Sequence, residues 1–168
     1  MSTSTITAAP YITAYDDATH YSLAGGLARI LAESRKTNGA FSFVHLTHHY
    51  GEASPLHVHP DQDEGFFVLH GNIKGVCGET VWEASGGAFI WLPRGVPHGF
   101  QAVSELPLEL LVMTVPGGLD EFLAEAGDSV LDGVDSSPAS FDPLRVAEIA
   151  ARHGIELLGP PVDFLGRA

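Results

Sequence analysis

Short apolar runs separated by turn-forming residues fill most of the chain between positions 27 and 115. Two of them, L-A-R-I-L-A and F-S-F-V-H-L-T-H-H-Y, flank the turn-like K-T-N-G and predict a pair of antiparallel strands. The further runs lie at 65–69, 73–77, 80–83, 88–92 and 108–115. Because Gly, Pro or Asn separates so many short runs, the pattern predicts a barrel or a sandwich dominated by β-strands.

The pattern changes to that of helices after Pro116. The segment L-D-E-F-L-A-E-A places its apolar residues on one face, and Gly127 would end this helix. Asp142 and Pro143 form a good N-cap and first-turn pair for L-R-V-A-E-I-A-A-R-H-G, which Gly154 would stop. We therefore expect two short C-terminal helices, joined by a surface loop over V-D-S-S-P-A-S-F-D-P.

Composition limits the classes of partner. The chain has 168 residues, a size that suits one domain, with 8 basic and 21 acidic residues and a net charge of −13. This balance argues against binding to nucleic acid or to anionic membranes and favours small molecules. Cys77 is the lone cysteine, and no apolar run is long enough to span a bilayer. We expect a soluble, cytoplasmic protein.

Three histidines and one glutamate have the spacing of a metal site. His57 and His59 are two residues apart, so on a strand both imidazoles point to the same face. Glu64 follows the turn P-D-Q-D, and we expect it to open the next antiparallel strand and return to that face, where His98 joins from a neighbouring strand. A single histidine is more often a surface or hydrogen-bonded imidazole, but the set of four favours metal binding.

The predicted ligand set holds three imidazole nitrogens and one carboxylate oxygen. This set suits one divalent transition metal ion, Fe, Ni, Mn or Co above all, with Zn and Cu as further options. The spacing does not select among them. Glu64 is the sole carboxylate in the set and therefore the nearest candidate for a catalytic proton acceptor.

Two blocks of sequence resemble the paired motifs of the cupin superfamily. The first block contains Gly51, His57, His59, Glu64 and Gly71, and the second contains Gly87, Pro93, Gly95 and His98. The asparagine that usually ends the second motif is replaced by Ala102. The resemblance implies a cupin barrel, a double-stranded β-helix or jelly roll, over 23–116. Residues 1–22 would then form an N-terminal arm or edge strand, and residues 117–168 a helical extension packed on the barrel.

A narrower likeness lies outside these motifs. The strand before the first motif, the segment P-G-G-L-D-E-F-L-A-E-A-G and the tail R-H-G-I-E-L-L-G-P-P are similar to single-domain cupins of the quercetin 2,3-dioxygenase type. This likeness implies a metal-dependent dioxygenase that cleaves a flavonol or another enolic aromatic molecule with dioxygen, and Glu64 would accept the enol proton. Two alternatives stay open: a non-oxidative cupin enzyme, such as a polyketide cyclase, isomerase or decarboxylase, and a small-molecule sensor.

Candidate pocket residues follow from strand parity. Phe66 shares a face with Glu64, and Phe100 shares one with His98 if that strand continues. On the strand before the first motif, Phe43 and His45 lie on one face and His48 lies on the other. We assign Phe66, Phe100, Phe43 and His45 to the substrate pocket. Pairing through edge strands predicts a homodimer.

Overall fold

Two antiparallel sheets and two short helices make up the computed structural model, which describes residues 9–130 and 142–166. The strands are β1 (His20–Leu23), β2 (Gly26–Ala32), β3 (Ser42–His48), β4 (Pro55–Val58), β5 (Asp63–His70), β6 (Asn72–Cys77), β7 (Thr80–Ser85), β8 (Phe89–Leu92), β9 (His98–Ala102), β10 (Leu108–Val115), β11 (Asp128–Ser129) and β12 (Glu156–Pro161). The helices are α1 (Leu119–Ala126) and α2 (Pro143–Arg152). The predicted all-β fold with two C-terminal helices is confirmed.

The strand order within each sheet is that of a jelly roll. The seven-stranded sheet runs β11-β1-β2-β3-β10-β5-β8, and the five-stranded sheet runs β12-β4-β9-β6-β7. Strands β4 and β5 follow each other in sequence but lie in different sheets. The chain therefore crosses from one sheet to the other at the turn between them.

Alternation along the central strands builds the core between the sheets. In β10, every second residue is buried, and Leu108, Leu110 and Val112 are fully enclosed. They belong to one apolar cluster with Val44 of β3 and Ile73 of β6, so both sheets contribute to it. Burial of each such side chain contributes about 1.5–3 kcal/mol, which favours this register over a shift by one residue.

Both helices have the bounds that their sequences predict. In α1, the apolar face is buried, and the N–H of Gly127 closes the last turn on the carbonyl of Leu123. Asp142 caps α2, because its Oδ1 accepts hydrogen bonds from the backbone N–H groups of Leu144 and Arg145. Within the described residues, no helix is both long and apolar enough to cross a membrane.

The C-terminal extension contributes strands as well as helices, which the sequence did not predict. Strand β11 pairs with β1, and β12 pairs with β4, where Leu157 lies opposite His57. The extension thus joins both sheets. Residues 134–141 of the predicted surface loop and the first eight residues of the predicted arm lie outside the described residues.

An edge of the seven-stranded sheet is formed by β8, whose side chains Phe89 and Trp91 are exposed. Exposed apolar side chains on an edge strand are compatible with pairing between two copies. The homodimer itself stays a prediction.

Candidate metal centre

The structure brings together the four side chains of the predicted metal site. His57 of β4 lies directly opposite His98, which opens β9. His59 follows β4, and Glu64 is the second residue of β5. One potential ligand atom from each of the four residues lies within 4.8 Å of the others.

Glu64 reaches this cluster by a different route from the predicted one. The sequence predicts that Glu64 opens the next antiparallel strand and returns to the face of the two histidines, but β5 pairs with β10 and β8 in the seven-stranded sheet. The three histidines belong to the five-stranded side of the fold. The carboxylate therefore meets the imidazoles across the barrel interior, because inward-facing side chains of two packed sheets converge there.

Hydrogen bonds to the backbone fix the orientation of two imidazoles. Nδ1 of His57 lies 2.8 Å from the carbonyl oxygen of Pro55, and Nδ1 of His98 lies 2.9 Å from that of Val96. A carbonyl oxygen only accepts, so both Nδ1 atoms carry the proton and donate. Each Nε2 is then left with a free lone pair, the form that binds a metal ion.

The third imidazole is held by a side chain. Nδ1 of His59 lies 3.2 Å from Oε1 of Gln62, and Nε2 of the same amide donates to the carbonyl oxygen of Gly117 at 3.0 Å. The second bond fixes which end of the amide faces His59, so Nδ1 of His59 is again the donor. Gln62 thereby connects a candidate ligand to the segment that leads into α1.

Two buried polar atoms in the cluster have no hydrogen-bond partner among the described residues. Oε2 of Glu64 and Nε2 of His98 lie 3.2 Å apart, but their geometry is not that of a hydrogen bond. Leaving such atoms buried and unpaired is costly, whereas a cation between them would satisfy both. The donor set of three nitrogens and one oxygen therefore fits one transition metal ion.

The protonation states of Glu64 and His57 also suit a metal ligand set. Burial, followed by the neighbouring charge of His98, lowers the pKa of His57 to about 4, and Glu64 opposes this with a smaller effect. Burial raises the pKa of Glu64, but the surrounding imidazoles, His98 first, more than offset this and hold it below its ordinary value. At neutral pH, Glu64 is therefore ionised and His57 is neutral. Burial lowers the pKa of His98, but Glu64 more than compensates and raises it.

The cluster opens into a cavity of about 160 Å³. The walls are mostly apolar and are formed by Leu23, Ala24, Gly26, Ala28, Leu46, His48, Ala53, Ser54, Pro55, Phe66, Phe100, Leu119, Phe122, Leu123, Val146, Ile155 and Leu157, with His57, His59 and Glu64. This volume is similar to that of a cavity that accepts one benzene-sized ring. The cavity shares lining residues, Val146 and Leu157 among them, with a neighbouring groove of about 950 Å³.

The structure places Phe66 and Phe100 in the cavity wall, where their rings meet edge to face at 5.4 Å. It does not place Phe43 or His45 there. His45 is buried on the other face of β3, where Nδ1 lies 3.1 Å from the hydroxyl of Tyr15 and Nε2 lies 3.3 Å from Glu109. The structure therefore does not bring Phe43 and His45 to this cavity, whereas it brings Phe66 and Phe100 there.

The cavity face of β3 instead carries Leu46 and His48. Alternation in the sequence separates the two faces of this strand but does not say which one turns inward. Sequence reasoning also missed the cavity role of Phe122 and Leu123, although it predicted the apolar face of their helix. For Gln62, the sequence indicates a place in a turn but does not predict its hydrogen bond with His59.

Comparison with known proteins identifies the fold family. Residues 44–114 match the family model described as "Cupin domain". The chain therefore carries a cupin domain. Over 152 residues, this cupin-domain protein is 28% identical to quercetin 2,3-dioxygenase of Bacillus subtilis (strain 168). The match covers 89% of this chain and 44% of the relative, so the chain spans less than half the length of the curated relative it matches.

Solved structures of low identity share the fold of this cupin-domain protein. One is an RmlC-like cupin from Shewanella frigidimarina NCIMB 400, with a TM-score of 0.59 and 15% identity over 67% of this chain and 96% of that chain. Another is a predicted oxalate decarboxylase from Thermotoga maritima, with a TM-score of 0.57 and 18% identity over 63% of this chain and 99% of that chain. At these identities the likeness shows the fold alone, and a fold does not select a reaction.

Proposed function

We propose that this cupin-domain protein is a metal-dependent dioxygenase that acts on an enolic aromatic small molecule of the flavonol type. The observation that carries the proposal is the cluster of three oriented imidazoles and one ionised carboxylate at an apolar cavity. The 28% identity to the Bacillus subtilis quercetin 2,3-dioxygenase supports the reaction type.

His57, His59, Glu64 and His98 would hold the ion. Iron, nickel, manganese or cobalt suits this donor set best, and zinc and copper also accept it. When bound, a divalent ion supplies positive charge that stabilises an enolate and open coordination positions for substrate and dioxygen. The side chains of the protein supply the remaining functions, which are proton transfer, orientation of the substrate and exclusion of water.

Glu64 is the proton acceptor in this proposal. Its carboxylate is ionised at neutral pH, and Oε2 has no hydrogen-bond partner among the described residues. In the first step, the O–H bond of the enol breaks, its electron pair stays on the substrate oxygen, and the proton moves to Glu64. The enolate that remains is electron-rich and therefore open to oxidation by dioxygen.

The cavity wall orients the substrate and keeps water away. Phe66 and Phe100 offer two aromatic faces or edges for packing against a planar ring, and Leu46 adds aliphatic surface. Part of a flavonol would extend into the neighbouring groove, which shares Val146 and Leu157 with the cavity. An apolar wall would also strengthen the attraction between the metal-loaded site and an anionic enolate.

The proposal is tested with protein loaded separately with Fe(II), Ni(II), Co(II) or Mn(II) and mixed with quercetin. We expect at least one metal form to consume dioxygen and release carbon monoxide in equal amounts, the products that a quercetinase-type ring opening requires. Conversion of enols at the same rate under nitrogen would contradict the proposal and indicate a non-oxidative enzyme. Binding of quercetin without its conversion by any metal form would indicate a sensor.

A further inference from the structure

We propose that His48 is a specificity-determining residue, which hydrogen-bonds a hydroxyl group of the substrate at the end remote from the metal cluster. The inference rests on the proposed function and names the part of the substrate that the metal cluster does not contact. Three features of His48 support this role: its position in the cavity, the packing that holds its ring in place and its unused hydrogen-bonding capacity. In addition, the cavity wall contains few other polar groups.

The position of His48 follows from strand register. On β10, the partner of His48 is Leu108, whereas the partner of Glu64 is Thr114, six positions further along the strand. Both His48 and Glu64 line the cavity. The cavity thus has the metal cluster towards one end and an imidazole towards the other, with aromatic rings between them.

The imidazole of His48 is packed firmly in place. Its ring meets that of Phe100 edge to face at 5.2 Å, and its side chain is 12% exposed. On the other side, it lies so close to Gly26 that a Cβ there would come within 2.5 Å of Cε1 of the ring. A glycine backbone therefore makes room for this side chain, which fixes its position in the wall.

The hydrogen-bonding groups of His48 are unused by the described residues. Nδ1 is buried without a hydrogen-bond partner, and it lies 3.6 Å from Oε2 of Glu52, beyond hydrogen-bond distance. The same carboxylate oxygen accepts a bond from the backbone N–H of His49 at 2.7 Å. Its negative charge favours the tautomer with the proton on Nδ1, so Nε2 is left as an acceptor for a hydroxyl group.

Few other polar groups are available in the wall. Apart from the metal cluster, the polar side chains among the described lining residues are those of His48 and Ser54. Oγ of Ser54 already accepts a hydrogen bond from the backbone N–H of Phe100 at 3.0 Å. A substrate with an enol at one end and a hydroxyl at the other matches this wall, and a hydroxylated flavonol is such a molecule.

The test compares quercetin, which has hydroxyl groups remote from its enol, with 3-hydroxyflavone, which has the enolic hydroxyl alone. Binding to the metal-loaded protein is measured under nitrogen from the absorbance of the flavonol, so no turnover is needed. We expect the unaltered protein to bind quercetin about tenfold more tightly, the effect of one good hydrogen bond. His48→Phe should lose this tenfold preference while binding of 3-hydroxyflavone stays within about twofold.

Two further variants separate hydrogen bonding from structure. His48→Gln keeps a polar group at this position and should retain part of the preference, and it carries the test if the Phe variant does not fold. His49→Phe alters the exposed neighbour and should change neither affinity. An unchanged preference in both His48 variants, or an equal loss for both flavonols, would overturn the role of His48 alone. If neither flavonol binds the unaltered protein, the proposed function fails and the role of His48 with it.

Discussion

Oε2 of Glu64 and Nε2 of His98 lie 3.2 Å apart, although the two residues come from opposite sheets. Neither atom has a hydrogen-bond partner of good geometry among the described residues. Closure of the barrel therefore creates a buried pair of potential metal-ligand atoms that neither sheet would form alone. A cation bound between them would offset the cost of burying them and would thereby stabilise the barrel.

Glu64→Gln tests the proton-transfer role directly. The amide keeps the size of the side chain but does not accept the enol proton, so turnover should fall at least about 100-fold. Three imidazoles remain, and some metal should still bind. Oxygen uptake and elemental analysis measure the two effects. Glu83→Gln, an exposed change on β7, is the matched control and should behave as the unaltered protein. Full turnover by Glu64→Gln would show that Glu64 is a ligand without a catalytic role.

Gln62→Leu tests the support of His59. The substitution removes the acceptor for Nδ1 of His59 and the bond to Gly117, so metal affinity should fall about 10–100-fold. Competition with a chelator measures the affinity. Gln62→Glu still accepts from His59 but does not donate to Gly117, and we expect an intermediate affinity. Equal affinities for all three proteins would mean that the orientation of His59 does not depend on Gln62.

A buried pair of hydroxyl groups beside the site should show energetic coupling. Oγ of Ser42 and Oγ1 of Thr114 lie 2.7 Å apart, and neither residue is accessible to solvent. Ser42→Ala or Thr114→Val leaves the other hydroxyl unpaired and should cost about 1–3 kcal/mol in the free energy of unfolding. The double variant should cost less than the sum of the two, as measured by urea denaturation. Strict additivity would contradict the coupling.

The contact between the two helices should depend on pH. Arg152, and after it His153, lowers the pKa of Glu125, which is exposed at the surface. A lowered folded-state pKa gives stability that is present above the ordinary value of 4.5 and is lost as the pH falls through the lowered value. Glu125→Gln should therefore be slightly less stable than the unaltered protein near neutral pH.

This difference should shrink as the pH falls below about 4.5 and weaken in high salt. The urea midpoints of the two proteins over this pH range provide the measurement. A difference that grows on acidification would contradict the sign derived from the pKa of Glu125.

Features set by neighbouring residues were predicted well from the sequence. The pairing of β2 with β3 and the bounds of α1 and α2 are confirmed, because turns, caps and apolar periodicity act over a few residues. Strand β12 was missed: its sequence E-L-L-G-P-P contains Gly and two prolines, which are weak strand formers, and pairing with β4 stabilises it.

The sequence by itself determined that His57 and His59 share a face and that Glu64 lies near the start of the next strand, since both follow from spacing along the backbone. Only the tertiary structure decided that Glu64 crosses from the opposite sheet, and that His48 rather than His45 faces the cavity. The physical reason is that alternation fixes which residues share a face, whereas the packing of one sheet on the other decides which face is buried inside.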